Sequence, residues 1–247
     1  EEFIKLNFDK RLFPKPKPIG TIKRCILISS LSKNNDIVLD FFSGSASTAH
    51  AVMKLNSEDN GNRKFICVQL PETTDEKSEA YKAGYKNICE IGKERIRRAG
   101  AKILENNKDK DLSSLDIGFR VLKVDSSNMK DVYYHPNQLG QGDLLNFETN
   151  IKEDRSDLDL LFSIMLNLGI CLDLKITTKI IDDKKLYFIE NSELIVCFEE
   201  NISLKIIETI KEEKPYKVVL KDGCFANDTQ KINAILELSL ITSISVI

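Results

Sequence analysis

The run Asp36 to Asn56, D-I-V-L-D-F-F-S-G-S-A-S-T-A-H-A-V-M-K-L-N, leaves the chain few choices. Ile37, Val38 and Leu39 form the short apolar stretch of a parallel strand covered on both faces, and Asp40 to Phe42 bring it to its carboxyl end. Ser43 to Ser47 then offer only small side chains, which suits a tight turn. Ala49, Val52 and Met53 give the residues that follow a helical apolar face. A strand, turn and helix in this order leave backbone N–H groups at the helix start, with the positive end of the helix dipole behind them. Carboxylate, hydroxyl or phosphate oxygens are favoured there, so the turn is a candidate cofactor pocket. The same small residues also serve a tight turn that holds no ligand. Gly44 stands alone, with Ala46 where a second glycine of G-x-G-x-x-G would fall, so a dinucleotide is not favoured.

Asp40-Phe41-Phe42-Ser43-Gly44-Ser45-Ala46-Ser47-Thr48 resembles the D-F-F-x-G-S-G-T-T motif with which amino-methylating DNA methyltransferases hold S-adenosylmethionine. The continuation Ala49-His50-Ala51-Val52, then Gly61 to Ile66 and Val68-Gln69-Leu70-Pro71-Glu72, is similar to the modification subunits of type III restriction-modification systems. Pro16-Lys17-Pro18-Ile19 with Ile22-Lys23-Arg24 resembles that family's K-P-V-x-L-I-K segment, which closes over the cofactor. Gly118 to Val121 with Asp125 to Asn128 resembles the run after its methyltransferase fold. The resemblance implies an α/β chain: a partial Rossmann-like, S-adenosylmethionine-dependent methyltransferase fold over residues 1–110, then a smaller α/β C-terminal interaction domain over 111–247. It also implies S-adenosylmethionine as cofactor, held by Lys17, Pro18, Asp40, Phe41, Phe42, Ser43, Gly44, Ser45, Ser47, Thr48 and Gln69. Gln69 stands where related enzymes carry an acid for the ribose; its amide can both accept and donate a hydrogen bond, and Glu72 is the nearby alternative.

Net charge is −2, from Lys+Arg 36 against Asp+Glu 38, so no global basic field draws nucleic acid and any DNA contact must be local. The six cysteines show no C-x-x-C pair and no nearby histidine, which suggests reduced thiols and neither a zinc site nor a redox motif. No apolar run approaches the roughly 18 residues of a membrane span, and a cytoplasmic protein is expected. Glu1 in place of methionine points to a piece of something longer.

Along the chain, Pro14, Pro16 and Pro18 exclude a helix before Ile19, and Ile22, Cys25, Ile26 and Ser29 predict one after it. Lys64 to Leu70 reads as a second buried strand. Asn87 to Leu104 reads as a long helix with Ile88, Ile91, Ile96, Ala99 and Ile103 inward, and with Lys93, Arg95, Arg97 and Arg98 on a solvated basic face. Glu105 to Asp111 has no apolar residue and marks the domain boundary. Strand character is expected over Asp116 to Asp125 and a helix over Asp157 to Leu172. Short β runs follow at 174–181, 185–190 and 194–199. The final strand, helix, strand, helix, strand order predicts a partly parallel sheet. Asp228 is expected to cap the last helix and to interact with Lys231; with Asp222 these residues carry no chemistry. His50 and His135 are isolated, and His50 reads as structural.

Methyl transfer in the resembled family needs a D-P-P-Y motif that grips the target base, and the chain contains none. No catalytic residue is therefore expected within it, nor a metal. The expected protein is the C-terminal part of an adenine-N6 DNA methyltransferase, inactive by itself. Its expected partners are DNA, a second modification subunit and an ATP-dependent restriction subunit, without a membrane. Two other readings stay open: a pure assembly module, and an unrelated nucleotide-binding fold.

Overall fold

The computed structural model describes residues 2–6, 8, 12–29, 32–109, 111, 114–130, 151–190 and 192–247; His135 falls outside them. The chain divides into two compact units, Glu1–Val121 and Leu122–Ile247.

The first unit runs α1 (Glu2–Lys5), α2 (Ile19–Ser29), β1 (Asn34–Asp40), α3 (Ser47–Asp59), β2 (Asn62–Cys67), α4 (Glu79–Lys82) and α5 (Ile88–Asn106). Strands β1 and β2 pair in parallel, Val38 opposite Phe65 and Asp40 opposite Cys67, with α3 as the crossover. On one side α2 packs Ile19 and Ile26 on Ala51, Val52 and Leu55 of α3, with Val38 and Phe65 of the sheet beneath. On the other, Ile91, Ile96, Ala99 and Ile103 of α5 join Ala46, Ala49 and Met53. The C-terminal end of α3 is tied to β2: Asn56 Nδ2 donates to the Arg63 carbonyl at 2.8 Å, and the Arg63 guanidinium grips both oxygens of Asp59 at 3.1 and 2.8 Å.

Two expectations are corrected in this unit. The strands are not covered on both faces: Ile37, Leu39, Ile66, Val68 and Leu70 lie exposed on the face opposite the helices. Asp116 to Asp125 is not a strand. Instead Leu115, Ile117 and Phe119 pack on the core of the first unit, and Gly100 makes room, since a Cβ there would meet Ile117 at 3.1 Å. The first unit thus continues past the polar run at Glu105 to Asp111 and ends at Val121.

The second unit holds α6 (Asp157–Asn167), β3 (Ile176–Ile181), β4 (Lys184–Ile189), β5 (Leu194–Cys197), α7 (Leu204–Glu213), β6 (Lys217–Leu220), α8 (Asp228–Ser239) and β7 (Ser243–Val246). Its sheet order is β3-β4-β5-β6-β7, antiparallel through β5 and parallel from β5 to β7, as the alternation of strands and helices predicts. Side chains of alternating direction form two cores. Leu186, Phe188, Ile195, Cys197, Val218 and Leu220 meet Ile206 and Ile210 of α7 and Ala234 and Leu238 of α8. Tyr187, Ile189, Leu194, Val196 and Val219 meet Leu160, Leu161 and Met165 of α6. Helix α6 is closed by a capping box between Ser156 and Asp159. The cap of α8 is Asn227, whose Oδ1 accepts from Gln230 N–H at 2.9 Å, and not Asp228. Lys231 pairs with Asp222 across the turn.

Candidate cofactor site

The candidate residues from Asp40 to Thr48, with Gln69, meet where β1 ends. Asp40 occupies the last position of the strand and uses both carboxylate oxygens to close the loop. Oδ1 accepts from Phe42 N–H at 3.3 Å, and Oδ2 accepts from the Thr48 hydroxyl at 2.5 Å in the first turn of α3. The strands hold the loop from beneath, Val68 N–H donating to the Asp40 carbonyl at 2.8 Å and Ser43 N–H to the Val68 carbonyl at 3.2 Å. Gln69 continues β2, and its Oε1 accepts from Gly44 N–H at 2.7 Å while its Nε2 donates to the Leu70 carbonyl at 3.2 Å. The predicted ribose partner is therefore also a brace of the loop.

The loop turns through two left-handed residues, Gly44 at φ 51° and Ala46 at φ 56°. Glycine adopts this conformation freely, whereas for alanine it costs roughly 1–2 kcal/mol, so the surroundings must hold Ala46 in place. Ala46 is also the residue before α3, and that helix start has no side-chain cap. The bracing comes from α5. Arg95 is fully buried, and its Nη1 donates to Ser45 Oγ at 2.9 Å, Ser47 Oγ at 2.7 Å and the Ser45 carbonyl at 3.5 Å. Gly92, three residues earlier, faces the loop, a Cβ there lying in ordinary contact at 3.4 Å from the Gly44 carbonyl and 3.5 Å from Ala46 Cβ.

This overturns the reading of Arg95 as part of a solvated basic face. A signal for it was present, since Ile91, Arg95, Ala99 and Ile103 recur at intervals of four and place Arg95 on the apolar stripe of α5. Of its neighbours Arg97 is exposed and Lys93 and Arg98 are half-buried: Arg97 and Arg98 pair with Glu94, Lys93 with Glu90, and Arg98 also stacks 4.0 Å above the Phe8 ring.

Within the predicted set, Ser45, Ser47 and Thr48 are buried and hold the loop's shape. Ser43 and Gly44 are half-buried, and the Phe41 and Phe42 rings stand out into solvent, Phe42 at 84% exposure. Lys17 and Pro18 are exposed, and the Pro18 carbonyl accepts from Thr21 and Ile22 N–H to start α2. From this preceding segment it is Phe13 that reaches the loop, its Cζ 3.4 Å from where a Cβ on Gly44 would stand. No spacing in the sequence pointed to Phe13.

His50, buried on α3, has its imidazole held down to about 3 from the ordinary 6.5, first by burial and then by the charges of Arg95 and Lys54. It is neutral at physiological pH, which suits a structural residue and not a proton carrier. Burial, followed by the nearby Asp40 carboxylate, raises the Cys67 thiol to about 11 and keeps it protonated. The arrangement is a small turn braced by Asp40, Gln69 and Arg95, with the Phe41 and Phe42 rings on its outer side. A helix start without a side-chain cap and two exposed aromatic rings are the groups that a ligand carrying a carboxylate and a flat ring would meet here.

The sequence profile of the DNA methylase family matches residues 2–97, which include the whole of this site. Three relatives are Mod subunits of type III restriction-modification enzymes. StyLTI Mod of Salmonella typhimurium is 43% identical over 113 residues, 46% of this chain and 17% of that protein. EcoPI Mod of Escherichia phage P1 is 39% identical over 112 residues, 45% and 16%. EcoP15I Mod of Escherichia coli is 40% identical over 126 residues, 49% and 18%. The matched part of this chain therefore spans less than a fifth of each relative's length. Over residues 2–97 the chain is similar to the DNA methylase family, and there it also resembles the Mod subunits of type III restriction-modification enzymes.

Proposed function

We propose that the chain is the methyl-donor-binding part of an adenine-N6 DNA methyltransferase of the type III modification kind, built on a Rossmann-like sheet, and that the loop between β1 and α3 receives S-adenosylmethionine. The observation that carries this reading is the strained, braced turn at Gly44 and Ala46, lying inside the DNA methylase match. In this reading the amino-acid end of the donor lies by Phe42 to Ser45 with Lys17 and Pro18 on its outer side. The ribose lies by Gln69, whose Oε1 stays on Gly44 while its amide nitrogen turns to the sugar. Asp40, Phe41, Ser47 and Thr48 shape the floor. With no D-P-P-Y motif to grip a base, this chain supplies the donor and not the transfer step. DNA, a second modification subunit and a restriction subunit are its proposed partners, in the cytoplasm, following the printed designation of its relatives as subunits.

Calorimetry with S-adenosylmethionine tests the reading on the wild-type chain and on Gly44→Asp. That change puts a side chain at a positive φ, 3.4 Å from Phe13, and a negative charge where the carboxylate is to sit. Weak binding by the wild type and none by the variant is expected, because little apolar surface encloses the loop. Equal affinities would remove the turn from the site.

A further inference from the structure

We propose that Arg95 is the positioning residue of the donor loop: its guanidinium, set between the Ser45 and Ser47 hydroxyls, holds the turn in the one shape that admits the ligand. The inference rests on the S-adenosylmethionine reading above and goes beyond it by placing the control of the site on α5, outside the loop and outside the motif by which the loop is known.

The geometry singles out this role. Serines 45 and 47 flank Ala46, the residue held at φ 56°, and one nitrogen of Arg95 bonds both, at 2.9 and 2.7 Å. The guanidinium thus grips the chain on either side of its strained point. Packing alone does not ask for an arginine there. The stripe around it is Ile91, Ala99 and Ile103 against Ala46, Ala49 and Met53, and an apolar side chain at 95 would fill that space without desolvating a charge. What an apolar side chain cannot do is hold two hydroxyls at fixed positions. Left-handed non-glycine residues persist only where their surroundings over-determine them. Here the surroundings are Arg95 from α5, Gln69 on Gly44 N–H, and Asp40 on Thr48, three side chains from three elements converging on one turn. Arg95 is the most deeply buried of the three.

The test uses the full chain as Arg95→Met, Arg95→Lys and the Ser45→Ala/Ser47→Ala pair. It reads S-adenosylmethionine affinity by calorimetry and hydrogen exchange by residue. Arg95→Met is expected to speed exchange over Gly44 to Thr48 while Ala51 to Leu55 in the middle of α3 stays protected, and to weaken donor affinity by roughly tenfold or more, the worth of a charged hydrogen bond. The serine pair should reproduce both effects, and Arg95→Lys, which keeps one donor, should recover part of each. Unchanged exchange and affinity in Arg95→Met would overturn the proposal. So would exchange that rises evenly along α3 and α5, which marks a residue that merely stabilises the unit. If Arg95→Met fails to fold, Arg95→Lys and the serine pair decide by the same two readouts. If the wild-type chain binds no donor, the reading of the site fails on its own, and the confined or even pattern of exchange still settles whether Arg95 positions the loop.

Discussion

The two sheets of this protein contain parallel strands written in nearly the same letters and treated in opposite ways. Strand β5, L-I-V-C, has all of its residues at 0% exposure, with α7 and α8 on one face of its sheet and α6 on the other. Strand β1, with I-V-L at its centre, buries Val38 toward the helices and leaves Ile37 and Leu39 at 60% and 48% exposure. A short apolar run states that a strand tolerates cover on both faces. Whether cover exists depends on a second layer, and β5 has one on each side. The first unit has one layer of helices on one face of its sheet, and its loop is held by side-chain hydrogen bonds from β1, the end of β2 and α5. The second has a sheet enclosed on both sides.

The largest expected effect separates the two strands directly. Ile195→Asp places a charge in the closed core beneath α7 and α8 and should cost more than about 4 kcal/mol, enough to unfold the second unit, while Leu39→Asp should change stability by no more than about 1 kcal/mol. Denaturant titration followed by circular dichroism measures both. A loss at Leu39 comparable to that at Ile195 would mean that the bare face is covered in solution, and the contrast between the sheets would dissolve.

Acid should distinguish the units next. The folded-state value of His50, about 3, lies below its ordinary 6.5, so the unfolded chain binds the proton first. Stability of the first unit is therefore full above about pH 6.5 and falls as pH drops toward 3, by up to about 1.4 kcal/mol per pH unit. In the second unit Glu213 and Asp182 are held below their ordinary 4.5 and 3.8 by hydrogen bonds from Lys179 and Ser203 respectively. Their contribution is present above those ordinary values and is lost only as pH falls through the lowered folded ones. Hydrogen exchange from pH 7 to 5 should loosen α3 before the β4 and β5 amides, and His50→Gln should remove that early loss. Equal loosening of both units, or an unchanged slope in the variant, would contradict the assignment.

The smallest effects lie at the helix starts. Asn227→Ala removes the side-chain cap of α8 and should cost about 1 kcal/mol. Ala46→Gly before the uncapped α3 relieves the left-handed strain but gives up a buried methyl and adds freedom to the unfolded chain. The terms nearly cancel, and the change should stay within about 0.5 kcal/mol of zero. Thermal midpoints of the two variants decide, and a loss at Ala46 larger than that at Asn227 would show that the methyl, rather than the backbone, sets the cost of the turn.

Sequence alone determined the order of β1, loop, α3 and β2, the final β5-α7-β6-α8-β7 alternation, and the loop residues that meet at the end of β1. These are local matters: apolar spacing distinguishes helix from strand, and small residues mark the turn. Tertiary structure alone decided four things. It left one face of the first sheet bare, because periodicity reports which face is apolar and not what lies against it. It turned the alternating residues of Asp116 to Asp125 away from a strand, because a strand needs a partner for its backbone groups, and Ile117 and Phe119 found the first unit's core instead, Ile117 against Gly100. It sent the Gln69 amide onto Gly44, because two groups 25 residues apart met only when β1 and β2 paired. It drew Arg95 inside, because the Ser45 and Ser47 hydroxyls that accept from its Nη1 sit some 50 positions away along the chain, brought within reach only by the packing of α5 on α3.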